Sequence, residues 1–196
     1  MAAVKAVHRA YSEEGSLVIV ASPSERQSQE FLRKCEEFAE KLQMKARGDG
    51  RNAISLAFGK GSRIVGLPGR ADTVRGFSAS LVLIDEASRV TDEMYSALGP
   101  MRAATNGDLW LMSTPNGSQG FFWKVWMDGG AGWERILAPA TECGRISAEF
   151  LAGELRARGE RQYSQEYLCG FVDNGSQYFA RQSVEDAMGD EEPVEV

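Results

Sequence analysis

The stretch Leu81-Val82-Leu83-Ile84-Asp85-Glu86-Ala87 decides how this chain is read. Its four consecutive apolar residues have the length and composition of a strand buried on both faces, the kind found in parallel sheets. The run stops at two adjacent carboxylates. Ligands of open α/β sheets bind at the carboxyl edge of the strands, which is where Asp85 and Glu86 are delivered. Two acids there suit phosphate chemistry. In a P-loop-type NTPase the first carboxylate helps hold Mg²⁺, often through water, and the second polarises the attacking water. A strand ending in Asp-Glu also arises by chance, so the pair alone indicates no more than some nucleotide enzyme.

The flanking segments supply the rest of an alternating pattern. Residues 1–14 read as a short helix, with Val4, Val7 and Tyr11 at helical spacing. Ser16–Ala21 is a continuous apolar strand, and Pro23 opens a helix reaching Met44, with Ser22 as its cap and Phe31, Cys35 and Phe38 on one face. Asn52–Phe58 and Arg63–Leu67 read as two strands joined by a hairpin turn at Gly59-Lys60-Gly61-Ser62. After the Asp85-Glu86 strand come a helix at 91–98, a strand at 108–113, a helix at 121–127 and a strand over Trp133–Ala138. Residues 147–170 read as helical, in two pieces meeting near Gly159. Strands alternating with helices predict an α/β domain with a mostly parallel sheet flanked by helices. The expected organisation is one domain over 1–180, with 181–196 an acidic tail or the start of a linker.

Composition narrows the class. Hydrophobic residues at 43% and charged residues at 26% give a chain able to bury a core. No stretch approaches the roughly 20 apolar residues a bilayer crossing needs, and the N-terminus lacks a secretory signal pattern, so the cytoplasm is the expected compartment. Cys35, Cys143 and Cys169 are too scattered for a disulfide framework or a C-x-x-C zinc site. A net charge of −6 argues against a self-sufficient nucleic-acid-binding module, although a local patch or a partner can still bring DNA.

Two further features give the Asp85-Glu86 pair context. Ser113-Thr114 stands at the end of the next apolar strand. Hydroxyls at that neighbouring tip can bond a γ-phosphate, the lytic water or the glutamate, although a Ser/Thr turn before Pro115 is common in itself. Arg75 lies in the loop before the strand, and its planar guanidinium suits transition-state phosphate charge; an arginine in a surface loop is the plainer alternative. Gly59-Lys60-Gly61-Ser62 is a decoy. Ile54 stands where the first glycine of G-x-x-x-x-G-K-[ST] belongs, and Gly61 where the hydroxyl belongs. The sequence holds no Walker A motif. Phe121, Phe122, Trp123, Trp126 and Trp133 form an aromatic group better suited to core packing than to stacking on DNA.

Taken in order, several segments resemble the large subunit of tailed-phage terminases. They are SPSERQSQEF at 22–31, Leu67-Pro68-Gly69-Arg70, Val74-Arg75-Gly76-Phe77, LVLIDEA at 81–87, STPNG at 113–117, Gly120-Phe121-Phe122, Gln165-Glu166-Tyr167-Leu168 and Phe171-Val172. The resemblance implies a P-loop NTPase-like fold of the RecA/ASCE type and an ATPase that drives double-stranded DNA into a procapsid. It works there with the portal protein, the terminase small subunit and other copies of the large subunit in a ring. It also implies ATP and Mg²⁺ as cofactors. Asp85 would serve the metal, Glu86 would activate water, and Ser113 and Thr114 would couple hydrolysis to movement. Arg75 would act on the neighbouring subunit's nucleotide. The family's Walker A loop would precede residue 1, so the first, phosphate-loop strand is expected to be missing, leaving a gap in the central sheet. Little independent ATPase activity is expected, and no nuclease activity. The alternatives are the first motor domain of a DEAD-like helicase and, outside enzymes, an inactive prophage remnant or assembly partner.

Overall fold

The computed structural model describes residues 1–51, 54–68 and 76–172. The chain divides into two compact units, one of Met1–Thr114 with Gly120–Val125, the other of Pro115–Gln119 with the chain from Trp126 onward.

The first unit is built on a five-stranded sheet of β1 (Leu17–Ser22), β2 (Ser55–Ala57), β3 (Arg63–Pro68), β4 (Leu81–Asp85) and β5 (Asp108–Met112), in the order β2-β3-β1-β4-β5. β1 runs parallel to β3 and β4, and β4 parallel to β5; only β2 is antiparallel, forming the expected hairpin with β3. The apolar runs foretold central strands correctly. Every residue of β1 is buried, as are Leu81–Ile84. Alternate positions explain how: Val18, Val20, Leu81 and Leu83 belong to a core shared with two helices, α1 (Ala2–Ser12) and α2 (Glu25–Lys41), while Ile19, Val82 and Ile84 are buried too. Parallel strands covered on both faces have no solvated side to mark with polar residues.

Helix α1 approaches the core through a different face from the one expected. Ala3, Ala6, Val7 and Ala10 are buried, while Val4 and Tyr11 are exposed. The small side chains let the helix backbone lie close to its neighbours, and Arg9 ties its end down by donating to the Ser80 carbonyl and pairing with Asp108. The cap of α2 also differs from the expectation. Ser24, not Ser22, accepts the Gln27 N–H, because Ser22 is held as the last residue of β1 against Pro68. Phe31 and Cys35 are buried along α2 as its periodicity requires, and Phe38 packs against the same core. Burial pushes the Cys35 thiol up to about 12.

Two other expectations are corrected. Among the described residues the sheet has no central gap, since β2-β3-β1-β4-β5 are paired in succession. Among the described strands β5 has a neighbour on one side only, so the open position lies at an edge, where Leu109–Met112 are half-buried. Trp133–Ala138 forms no strand among the described residues, and Ile136 and Leu137 are exposed. Apolar strand propensity needs a pairing partner to become a strand.

In the first unit, α3 (Asp92–Leu98) follows β4, and Gly120–Val125 contributes most of α4 (Gly120–Asp128). The aromatic group divides between the units. Phe121 and Phe122 are buried and Phe121 stacks on Tyr95, whereas Trp126 meets Phe171 in the second unit. That unit is dominated by α5 (Ala148–Tyr167), capped by Ser147 and broken at Gly159, whose φ of 76° and ψ of 163° lie outside the helical region. Two helical pieces do meet there. No described helix is long and apolar enough to cross a membrane.

Candidate functional site

The site residues gather where β4 and β5 end. Their register pairs Ile84 with Leu111 and Asp85 with Met112, so Glu86 and Ser113 emerge next to each other at the same edge. Parallel pairing makes this unavoidable. Neighbouring strands that run the same way deliver their carboxyl ends together, about 4.8 Å apart across the ladder.

Asp85 is half-buried at the tip of β4. Desolvation by burial raises its carboxyl above the ordinary carboxylate value, while the Glu86 backbone N–H and the Lys34 ammonium pull the other way. The next residue turns sharply. Glu86 has φ 52° and ψ 45°, a left-handed conformation that non-glycine residues seldom adopt. It leads into a 3-10 turn at Ala87–Arg89, closed by the Arg89 N–H donating to the Glu86 carbonyl at 2.9 Å. The Glu86 carboxylate lies 4.0 Å from the Arg89 guanidinium.

Ser113 is joined to that turn. It accepts the Ser88 N–H at 3.2 Å, and the two hydroxyl oxygens are 2.8 Å apart. Thr114 follows, half-buried. Beyond the turn, Thr91 caps α3 by accepting the Met94 N–H, and Asp92 accepts the Phe121 N–H at 2.8 Å, anchoring the start of α4.

The structure therefore brings Asp85, Glu86, Ser113 and Thr114 to one sheet edge. Arg75 lies outside the described residues. Sequence reading missed Ser88, which bridges the two strand tips, and Asp92, which fixes the adjoining helix. Neither had a signature: a serine in a turn and an aspartate in a first helical turn are ordinary choices.

The donor set is oxygen-rich, with two adjacent carboxylates and two hydroxyls. Among the described residues no group of three or more His, Cys, Asp or Glu could hold a metal by itself. Mg²⁺ takes one or two carboxylates, keeps waters and completes its shell with substrate phosphates, and the Asp85-Glu86 pair is a donor set of that kind. Asp85, half-buried and desolvated at the strand tip, is an acid whose charge a bound cation would offset.

The domain is a mostly parallel α/β sheet with its candidate site at the carboxyl edge, and the comparisons specify its family. The model of the family described as terminase large subunit, T4likevirus-type, N-terminal, matches residues 1–186. The chain belongs to that family. Its fold is that of solved large terminases. The ATPase domain of the large terminase of Thermus phage P74-26 superposes with a TM-score of 0.70 at 20% identity, over 87% of this chain and 82% of that one. The large terminase of a second thermophilic bacteriophage, in complex with ATP-gamma-S, gives 0.73 at 12% identity, over 88% of this chain and 44% of that one. The same phage's large terminase in complex with ADP gives 0.70 at 12% identity, over 82% and 42%. A search of curated proteins finds no match. A family match running almost the whole length favours the terminase reading over the helicase one.

Proposed function

We propose that this chain carries the hydrolysis half of the nucleotide site of a DNA-packaging motor, acting in the host cytoplasm on double-stranded DNA. Its partners there are a portal protein, a terminase small subunit and further copies of the large subunit. The observation that carries the reading is the hydrogen-bonded junction of the Asp85-Glu86 tip with the Ser113-Thr114 tip at the carboxyl edge of a parallel sheet.

Each of the four described residues has a task that its position permits, and the task of Arg75 rests on the resemblance. Asp85 would hold Mg²⁺, which when bound neutralises developing phosphate charge. Glu86 would orient the attacking water from the turn that follows the strand. Ser113 and Thr114 would register the terminal phosphate through their hydroxyls. Arg75 would act in trans on a neighbouring copy's nucleotide. No G-x-x-x-x-G-K-[ST] loop to grip the α- and β-phosphates occurs in these 196 residues, so the roles assigned here are confined to the hydrolysis half. Residues 1–180 form the motor portion in this reading, and 181–196 a tail or linker.

The test is nucleotide binding and turnover by the purified chain. Weak Mg²⁺-dependent binding of ATP, lost in Asp85→Asn, is expected together with turnover at background. Binding that ignores both Mg²⁺ and Asp85 would defeat the assignment. Turnover that depends on Glu86 would defeat the claim that the chain lacks a complete site.

A further inference from the structure

The turn that presents Glu86 is attached to the tip of β5 through one residue. Ser88 sits in the middle of the Ala87–Arg89 turn, and its N–H and its hydroxyl both face Ser113, at 3.2 and 2.8 Å. Both serines are half-buried, so water competes only partly for these bonds. A hydroxyl has one proton to give and two lone pairs with which to accept. When Ser88 supplies both its N–H and its O–H, the lone pairs of Ser113 are filled. Either oxygen can donate in that hydroxyl contact; with Ser88 as the donor, the Ser113 proton is left for a third group.

The geometry points to Ser88 as a positioning residue that fixes Ser113 as a hydrogen-bond donor and holds the Glu86 turn in register with it. This rests on the nucleotide reading of the Asp85-Glu86 edge. A second observation supports it independently. Glu86 keeps a left-handed backbone, φ 52° and ψ 45°, which persists only where the surroundings over-determine it. The turn is closed on one side by the Arg89 N–H to Glu86 carbonyl bond and on the other by the Ser88–Ser113 pair. A phosphate oxygen that accepts the Ser113 proton thereby tightens the contact that sets Glu86. The coupling ascribed to Ser113 and Thr114 by themselves runs through Ser88.

The experiment compares Ser88→Ala, Ser88→Thr, Ser113→Ala and the Ser88→Ala/Ser113→Ala double variant in the full chain. Backbone amide exchange is read at residues 86–89, with the β1 and β4 amides as internal controls. Loss of a half-buried hydrogen bond should speed exchange in the turn about fivefold without affecting the controls. Ser88→Thr should keep the original rates, and the double variant should be no faster than Ser113→Ala. Additive effects, or acceleration shared by the control strands, would overturn the inference. The second readout is the preference for Mg·ATP-gamma-S over Mg·ADP. It should fall about fivefold in Ser88→Ala and return in Ser88→Thr, again as expected for one hydrogen bond. An unchanged preference would also overturn it. If the unaltered chain binds neither nucleotide, the reading of the site fails, and the exchange comparison still decides whether Ser88 holds the turn.

Discussion

Asp92, at the start of α3, accepts the backbone N–H of Phe121, 29 residues further on, at 2.8 Å and so caps the start of α4. The first N–H groups of any helix lack intrahelical partners. For α4 one is satisfied from outside, just after Gly120, whose φ of 76° turns the chain into the helix. The stacked rings of Tyr95 and Phe121, 4.2 Å apart, lie on the same two helices. Asp92→Ala should therefore cost about 1–2 kcal/mol, the usual loss for a missing cap. Asp92→Asn should retain most of it, because the amide oxygen still accepts. Chemical denaturation of the three proteins reads this directly, and equal midpoints for Ala and Asn would show that the bond contributes nothing.

The backbone of Glu86 gives a prediction of opposite sign. Its left-handed φ of 52° costs an L-residue with a Cβ roughly 1–2 kcal/mol. The partly exposed approach to Arg89, at 4.0 Å, is worth little by itself. Glu86→Gly should hold the same turn without strain and raise stability by about 1 kcal/mol, with Glu86→Asn close behind. A lower unfolding midpoint in both variants would mean that the side chain, not the backbone, stabilises the turn. A more stable protein without the carboxylate would show a site residue kept against the interest of the fold.

The sheet and the site were legible in the sequence to different depths. Continuous apolar runs at 17–22 and 81–84 announced buried parallel strands because burial on both faces removes every polar position. Strand order then followed from pairing, which sequence does not display, and that is why a gap in the central sheet was expected where the described strands form a continuous sheet. Asp85, Glu86, Ser113 and Thr114 were readable because strand ends are fixed by hydrophobicity. Ser88 was not, since its importance lies in a contact across 25 residues with no spacing rule behind it. The extended reading of Trp133–Ala138 came from side-chain type alone, whereas a strand also needs a neighbour to receive its backbone bonds.

The Asp85 carboxyl predicts a pH dependence. Burial raises its folded value, so the folded chain binds that proton more tightly than the unfolded chain does. Stability then falls as pH rises from the ordinary carboxylate range through the raised value, and the penalty is complete above it. Asp85→Asn removes a desolvated charge and should unfold at a higher temperature than the native sequence at pH 7. The advantage should shrink as pH is lowered through the raised Asp85 value, and vanish in the ordinary carboxylate range. Mg²⁺ should stabilise the native chain at pH 7 and leave Asp85→Asn unmoved, by mass action on a site only one of them has. A constant difference across pH would assign the effect to packing instead of charge.

Gly107 separates steric demand from conformational demand. A Cβ there would lie 2.3 Å from the Ala79 carbonyl oxygen and 2.9 Å from the Ser80 carbonyl carbon. Both are backbone atoms, pinned where the chain enters β4: the Ser80 N–H donates to Leu17, and the Asp108 N–H donates to Ser80. They cannot swing aside as a flexible side chain would. Gly107→Ala must push the start of β5 away from β4, and should cost about 1–3 kcal/mol or more, as overpacking does. Gly15 is the comparison, with φ 69° and nothing within 4 Å of its Cβ position. Gly15→Ala meets no atom and bears only left-handed strain, about 1–2 kcal/mol. Because Gly107 sits at the foot of the strand that carries Ser113, its substitution should also speed amide exchange along β5, whereas Gly15→Ala should leave β5 as it was. Equal exchange in the two variants would show that β5 is not held by this close approach.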